Sequence, residues 1–421
     1  MKVLWFSNTP AGGEDFLKLG EPRGGWMISL DKAIRNKVAL SVAFNFARYT
    51  EPFECNGVMY FPICKKNWKF NIIKTQLYGD YLDREDLAVY LEIIDKVKPD
   101  IIHIFGTENP YSCLVGETNI PVIISIQGNY TVYNHKYFSG IESKYASIRG
   151  INIWSPYTWF FNKSYKHRYR VSSVPITIRE KKNLKTCLYI IGRTDWDRRI
   201  TRILSPGSHY FHNDEILRDS FYHNRWVIPG NKNIVIHTTS GGTLFKGFET
   251  VCQTLNVLLK IGIDIEWRVA GVSEGSLLNK VVKKKLKESY PSNGLILLGN
   301  IPEQELIKRM LEADIYIMPS HIENSPNSLC EAMILGMPCI STLAGGSSSL
   351  LKDKEEGLII QDGDPWSMAG AILELAFDKE KAIKYGQKAR ETALVRHNKD
   401  RIVAELLEIY AAIIKKHSVC G

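Results

Sequence analysis

Short apolar runs separated by longer amphipathic stretches recur along all 421 residues, and that rhythm admits few folds. Residues 3–7 (VLWFS), 101–105 (IIHIF), 121–126 (PVIISI) and 186–191 (TCLYII) have the length and continuous apolarity of strands buried on both faces. Between them lie stretches such as 84–97 (REDLAVYLEIIDKV), whose apolar residues fall at helical spacing. The second half repeats the pattern, with strands expected at 233–238, 265–270, 294–298, 314–318 and 338–342. Helices are expected at 246–260, 276–288, 303–312, 326–335, 366–377 and 379–391. Such alternation means a doubly wound parallel sheet, and the chain is too long for one core. The expected fold class is therefore α/β, two doubly wound Rossmann-like domains facing a central cleft. A polar stretch at 212–232 containing Pro229-Gly230 suggests the boundary. The expected division is a first domain over 1–212, a second over 213–400, and a last helix over 400–421 packing back toward the first domain.

Composition narrows the class. No run of about 18 apolar residues is present, so no membrane-spanning helix is expected. The start, MKVLWFSNTP, lacks the long apolar region of a signal peptide and reads as a first strand. Eight scattered cysteines without metal-like spacing read as reduced, partly buried residues, which points to a cytoplasmic location. The net charge of +9 is unevenly placed: residues 1–230 hold 31 Lys and Arg against 22 Asp and Glu, and the remainder is balanced. A basic first half suggests an anionic partner: a nucleic acid, a membrane surface or a phosphorylated acceptor.

The segment DIYIMPSHIENSPNSLCEAMILGMPCIST, residues 314–342, carries the most chemistry. Ser325 reads as a helix N-cap with Pro326 at the first helical position, and the helix stops at Gly336. The first amides of that helix, around Pro326, Asn327 and Ser328, would then form an anion site. Glu323 precedes the cap, and Glu331 lies about 9 Å along the helix at 1.5 Å per residue. A carboxylate, then amides, then a second carboxylate matches a nucleoside diphosphate sugar, with hydroxyls, a diphosphate and a ribose diol in the same order. Taken alone, two acids at this spacing favour the plainer reading, a loop charge and a solvated helical face.

The pair resembles the Glu-x7-Glu signature of glycosyltransferase family 4, the group 1 glycosyltransferases, which lies between a strand ending in Pro-Ser and a Gly-x-Pro turn. Both flanks are here, as Pro319-Ser320 and Gly336-Met337-Pro338, while the family's Gly-Phe-Gly is replaced by Asn324-Ser325-Pro326. The resemblance implies the GT-B fold, with Glu323 contacting the transferred sugar and Glu331 the ribose. Asn324, Ser325, Asn327 and Ser328 would present donor-binding groups. Gly345-Gly346 resembles the family's second glycine pair, and Gly24-Gly25 its N-terminal pair near the donor diphosphate. Glu356-Gly357-Leu358 with Gly363-Asp364-Pro365 matches a further family stretch. Lys246-Gly247 matches the Lys-Gly whose Lys meets the diphosphate, but the usual Arg five or six residues earlier is replaced by Gly241 and Ser240.

Arg193, and less so Arg198, is the expected replacement cation; the alternative is a surface network with Asp195 and Asp197. Asp195-Trp196-Asp197 also forms an Asp-x-Asp, discounted as a metal site because three arginines surround it. Gln127 stands where the family often has a His that reaches the sugar, and is expected to orient it. His103, inside an apolar strand, reads as a core histidine, and Glu108 and Asn109 as lining for the acceptor side. Segment 151–170 (INIWSPYTWFFNKSYKHRYR) interleaves aromatic and basic residues, which fits an anionic membrane or a lipid-phosphate acceptor and also single-stranded nucleic acid, the alternative being an amphipathic helix whose aromatics fill the core. Residues 65–82 are similar in character.

The expected function is a retaining transfer of a sugar from a nucleoside diphosphate sugar to an acceptor hydroxyl, on a lipid-linked or polysaccharide intermediate of cell-surface glycan synthesis. Glu323, Lys246 and Gln127 are the expected catalytic set. No metal or other cofactor is expected, because amides and Lys246 would neutralise the diphosphate. The expected partners are the donor, a glycan or lipid-linked acceptor, and an anionic membrane through 151–170, with no nucleic acid. Location would be cytoplasmic, at the inner face of the membrane. The rivals are a GT-B sugar-nucleotide epimerase and a nucleic-acid-binding protein, the second of which leaves Glu323 and Glu331 unexplained.

Overall fold

The computed structural model describes residues 1–17, 25–46, 48–64, 83–148 and 164–420. The chain forms two compact units, each built from non-contiguous segments. Unit 1 contains Met1–Asn134, Arg170–Arg218 and His397–Gly421; unit 2 contains His135–Tyr169 and Asp219–Arg396.

Unit 1 is organised on β1 (Lys2–Ser7), β2 (Ala39–Asn45), β3 (Phe53–Cys55), β4 (Val58–Ile63), β5 (Ile101–Phe105), β6 (Val122–Ser125), β7 (Tyr189–Gly192) and β8 (His209–His212). The order across the sheet is β3-β4-β2-β1-β5-β6-β7-β8. All pairs are parallel except the hairpin of β3 and β4. The direction of winding reverses between β1 and β5, where Trp5 pairs with His103. Alternate residues of β1 go to opposite faces. Val3 and Trp5 pack with Ile402, Leu406 and Tyr410 of the helix Lys399–Cys420, while Leu4 and Phe6 pack with Tyr90 and Ile94 of the helix Asp83–Val97. Both faces are covered, so β1 and β5 are apolar without alternation.

His103 is the polar residue within β5, and it is satisfied. Trp5 Nε1 donates to Tyr410 Oη at 3.1 Å. The Tyr410 hydroxyl is then free to donate to His103 Nδ1 at 2.5 Å, which leaves Nε2–H to donate to Ser125 Oγ at 2.6 Å. Burial, with Arg193 adding to it, pushes the imidazole down to about 3, so the ring is neutral.

Unit 2 holds β9 (Ile234–Thr239), β10 (Ile265–Ala270), β11 (Leu295–Gly299), β12 (Ile315–Met318), β13 (Cys339–Thr342) and β14 (Leu358–Ile360). The order is β11-β10-β9-β12-β13-β14, parallel throughout. Winding reverses between β9 and β12, and ligands of such sheets bind outside the carboxyl ends of the strands at that reversal. The core includes Ile236, Trp267, Ile315 and Ile340 from the sheet, with Phe248, Val251 and Leu255 from the helix Phe248–Lys260.

Two expectations need correction. A single cut near 212 fails to describe 135–169, because Ile141, Ala146 and Tyr165 sit in the core of unit 2 and Tyr165 Oη donates to the Gly242 carbonyl at 2.6 Å. Lys136, Lys144, Lys166 and Arg168 therefore belong to unit 2, so the basic excess is not a property of one N-terminal body. Short-range patterning cannot reveal this, since the packing partners lie about a hundred residues away in sequence. Strands β2, β3, β4, β8 and β14 are also not anticipated from the sequence. In β2, Ser and Asn interrupt the apolar run, and its burial comes from neighbours on both sides. Residues 65–82 and 149–163, the latter most of the aromatic-basic segment, lie outside the described residues. Among the described residues, no helix is long and apolar enough to cross a membrane.

Candidate functional site

The loops after β9 and β12 flank the winding reversal of unit 2. After β9 the chain makes a tight turn at Leu244–Lys246, and Gly247 then opens the helix Phe248–Lys260 with φ +72°. A β-carbon on Gly247 would lie 2.0 Å from the backbone oxygen of Pro319, so only glycine allows the two loops to approach this closely. That approach brings Lys246 to Glu323. Lys246 Nζ donates to Glu323 Oε1 at 2.5 Å, and Ser320 Oγ donates to the same oxygen at 2.7 Å. Glu323 is buried, while the Lys246 side chain keeps about a quarter of its surface exposed.

The loop after β13 closes the other side. Gly346 N–H donates to the Glu323 carbonyl at 2.9 Å, and Gly345 has φ +57°. Thr342 Oγ1 donates to the Ser320 carbonyl at 2.5 Å, and Ser347 Oγ donates to Thr342 O at 2.7 Å and accepts from Ala344 N–H at 3.0 Å. Glu323, Lys246, Gly345 and Gly346 are thus gathered at one end of the unit 2 sheet.

The helix after Glu323 runs Asn327–Leu335, one residue later than expected. Pro326 occupies the N-cap with β-region backbone and no side-chain cap bond, so Ser325 precedes the cap instead of forming it. Pro326 has no N–H to offer, and its carbonyl accepts from Leu329 and Cys330 N–H. The first-turn amides of Asn327 and Ser328 have no intrahelical acceptor available. Asn324 is buried, and the buried Asn327 Oδ1 has no hydrogen-bond partner among the described residues. Glu331, in the second turn, is buried rather than lying on a solvated face. The helix ends at Gly336 with φ +85°.

His321 was not anticipated from sequence. Its Nε2 lies 2.6 Å from Glu249 Oε1 and its Nδ1 lies 3.2 Å from Asp362 Oδ2. The only local signal is its place two residues before Glu323, because both acids are remote in sequence.

The remaining candidates belong to unit 1. Gln127 follows β6 and accepts from Arg193 Nη2 at 3.2 Å, while its buried Nε2 has no partner among the described residues. Arg193, after β7, is buried, lies 3.4 Å from Glu215 and rests over the Trp26 ring at 4.8 Å. The expected alternative, a surface network with Asp195 and Asp197, is therefore corrected. Asp197 is the N3 residue of a capping box with Thr194, and it also accepts from Arg193 N–H at 2.8 Å and Tyr210 Oη at 2.6 Å. Arg198 lies over the Tyr210 ring. Gly25 begins the helix Gly25–Ile34, where a β-carbon would lie 2.6 Å from Arg218 Cδ; Gly24 is outside the described residues.

The chain is similar to known glycosyltransferases. Residues 219–392 match the model of the glycosyl transferases group 1. Over 172 residues the chain is 26% identical to the amylovoran biosynthesis glycosyltransferase AmsK of Erwinia amylovora, covering 39% of this chain and 42% of that one. The chain spans less than half the length of the first curated relatives it matches, 48% and 42%. Sucrose-phosphate synthase from Thermosynechococcus elongatus has the same fold, with TM-score 0.73 and 14% identity over 99% of this chain and 100% of that one. HepE of Anabaena, solved in complex with UDP-glucose, aligns with TM-score 0.64 and 14% identity over 98% and 100%.

Proposed function

We propose that this chain, whose residues 219–392 match the model of the glycosyl transferases group 1, transfers a sugar from a nucleoside diphosphate sugar to an acceptor hydroxyl in the synthesis of a cell-surface polysaccharide, with retention of configuration. The observation that carries the reading is the Lys246–Glu323 pair at the winding reversal of unit 2, bordered by the start of the helix Asn327–Leu335 and by Gly345-Gly346.

On this reading Lys246 exchanges its Glu323 contact for the donor diphosphate. Glu323 then accepts a hydrogen bond from a hydroxyl of the transferred sugar. Amides at Asn327, Ser328 and Gly345 hold phosphate oxygens, with Asn324 and Ser325 beside them; Gly346, whose N–H is bonded to the Glu323 carbonyl, keeps this loop against the site, and Glu331 accepts from the ribose diol. As the bond from the anomeric carbon to the phosphate oxygen breaks, its electron pair goes to the diphosphate, where Lys246 and the amides stabilise it. The acceptor oxygen bonds to the anomeric carbon and its proton passes to a phosphate oxygen, giving a glycoside and a nucleoside diphosphate. Gln127 and Arg193, at the carboxyl ends of unit 1 strands, are assigned to substrate recognition. The acceptor is a lipid-linked or polysaccharide intermediate.

A thermal-shift panel of UDP, GDP, ADP, CDP and their sugars tests the donor, and product analysis with glycan acceptors tests the transfer. One nucleotide family should stabilise the protein, and Glu331→Gln should abolish any preference for the ribose form over a 2′,3′-dideoxy form. Stabilisation by none of the nucleotides overturns the proposal, and donor turnover to an isomer without acceptor would replace transfer by epimerisation.

A further inference from the structure

We propose that His321 is the positioning residue of this site: bridged between Glu249 and Asp362, it holds the Glu323 loop against the turn that carries Lys246. The proposal rests on the donor-site reading above.

His321 joins four parts of unit 2. Its backbone N–H donates to the Phe245 carbonyl at 2.8 Å, beside Lys246. Its Nε2 meets Glu249, in the first turn of the helix that Lys246 and Gly247 lead into, at 2.6 Å. Its Nδ1 meets Asp362, after β14, at 3.2 Å. The segment holding Lys136 and Gly140 packs over the ring: a β-carbon on Gly140 would lie 2.8 Å from Nε2, and Lys136 Nζ reaches Asp362 Oδ2 at 3.2 Å. Glu323 lies two residues further along the same loop. The side chain thus turns away from Glu323 while the backbone beside it sets where Glu323 can be.

The geometry selects a protonation state. A carboxylate only accepts, so only an imidazolium donates from both ring nitrogens; a neutral ring would set a lone pair against one of the two acids. Among the described residues, the charged groups about the ring are Glu249 from the helix and Asp362 from the loop after β14, with Lys136 behind Asp362 and Lys285 bonded to the Gly140 carbonyl. Burial favours the neutral ring, but the bond and charge of Glu249, seconded by Asp362, outweigh it and hold His321 above the ordinary histidine value. A group raised in the folded state contributes fully below the unfolded value of about 6.5 and loses that contribution as pH rises through the folded value. Loss of the proton releases one of the two acids, loosens the loop and misplaces Glu323 and Lys246.

The test compares kcat against pH, at saturating donor, for the wild type, His321→Gln and Glu249→Gln, with ¹⁵N spectra of the histidines and melting temperatures. Misplacement at this scale should lower kcat of His321→Gln about tenfold to a hundredfold, with a much smaller change in donor KM. The wild type should lose activity on the alkaline side with an apparent pKa above about 6.5. His321→Gln should lack that limb, and Glu249→Gln should move it to lower pH. The ¹⁵N titration should contain one ring that stays doubly protonated to higher pH than an ordinary histidine and that Glu249→Gln shifts, a readout that holds even if His321→Gln does not fold. A nucleotide-binding, active wild type whose limb is unmoved by Glu249→Gln, or a His321→Gln enzyme of wild-type kcat and profile, overturns this proposal alone. A wild type that binds no nucleoside diphosphate overturns the donor-site reading itself.

Discussion

The backbone oxygen of Pro319 occupies the space that a β-carbon on Gly247 would need, 2.0 Å away. Gly247 opens the helix behind Lys246, and Pro319 directly follows the strand that leads to Glu323. The approach of these two backbones therefore sets the distance between the two charged side chains.

Gly247→Ala should be costly for two reasons at once. An Ala at φ +72° is strained, and its methyl meets a carbonyl that cannot rotate away. The expected loss is about 3 kcal/mol or more, combining left-handed strain with overpacking. Gly262→Ala is the control: it has φ +81° but open space, and should lose only about 1 kcal/mol. Calorimetry on the two variants separates collision from strain.

Lys246→Ala and Glu323→Gln should fail differently. Without Lys246 the leaving diphosphate loses its cation, so kcat should fall about 10²–10³-fold and nucleoside diphosphate affinity should drop with it. Glu323→Gln should lower kcat by a similar factor while leaving affinity for the bare nucleotide nearly intact. Because the two share one ion pair, the double variant should lose less than the sum of the single losses. Steady-state kinetics with calorimetric nucleotide binding checks all three.

Arg193→Ala should destabilise unit 1 whatever its part in turnover. Its removal leaves the fully buried Glu215 carboxylate without its guanidinium, a change costing about 3–5 kcal/mol. Arg193→Ala with Glu215→Gln should recover much of the stability, because the buried charge goes with its partner. If Arg193 serves substrate, the double variant recovers its melting temperature and stays inactive. Recovery of both shows that the residue only holds the fold.

His103 makes stability depend on pH in the direction opposite to His321. Its folded value of about 3 lies below the unfolded value, so between them the unfolded chain binds more protons and stability rises with pH. Acidification from pH 6.5 toward 3 should therefore cost up to about 5 kcal/mol from this ring, at about 1.4 kcal/mol per pH unit. Denaturant unfolding at several pH values should give a shallower acid slope for His103→Gln than for the wild type.

Local chemistry made much of this protein legible. Continuous apolar runs mark β1, β5 and β12, because strands buried on both faces have little polar side to display. Helical periodicity located Asp83–Val97 and Phe248–Lys260 within a few residues. The Pro-Ser and Gly-x-Pro flanks placed Glu323 and Glu331 in a strand-to-helix segment, since turn and cap preferences act over a few residues. The same rules set the cap one residue early, because Ser325 is a good cap by type but Pro326 takes the position.

Tertiary structure alone decided the rest. The sheet orders, the membership of 135–169 in unit 2 and of the helix Lys399–Cys420 in unit 1, and the bond from Tyr410 to His103 depend on contacts between remote segments. So do the pairing of Lys246 with Glu323 and the clamp of His321 between Glu249 and Asp362. The sequence by itself determined which segments become strands and helices and which residue types stand at their ends. Which of those ends meet, and so which charges are paired and buried, was decided by packing, because no short-range propensity encodes a neighbour dozens of residues away.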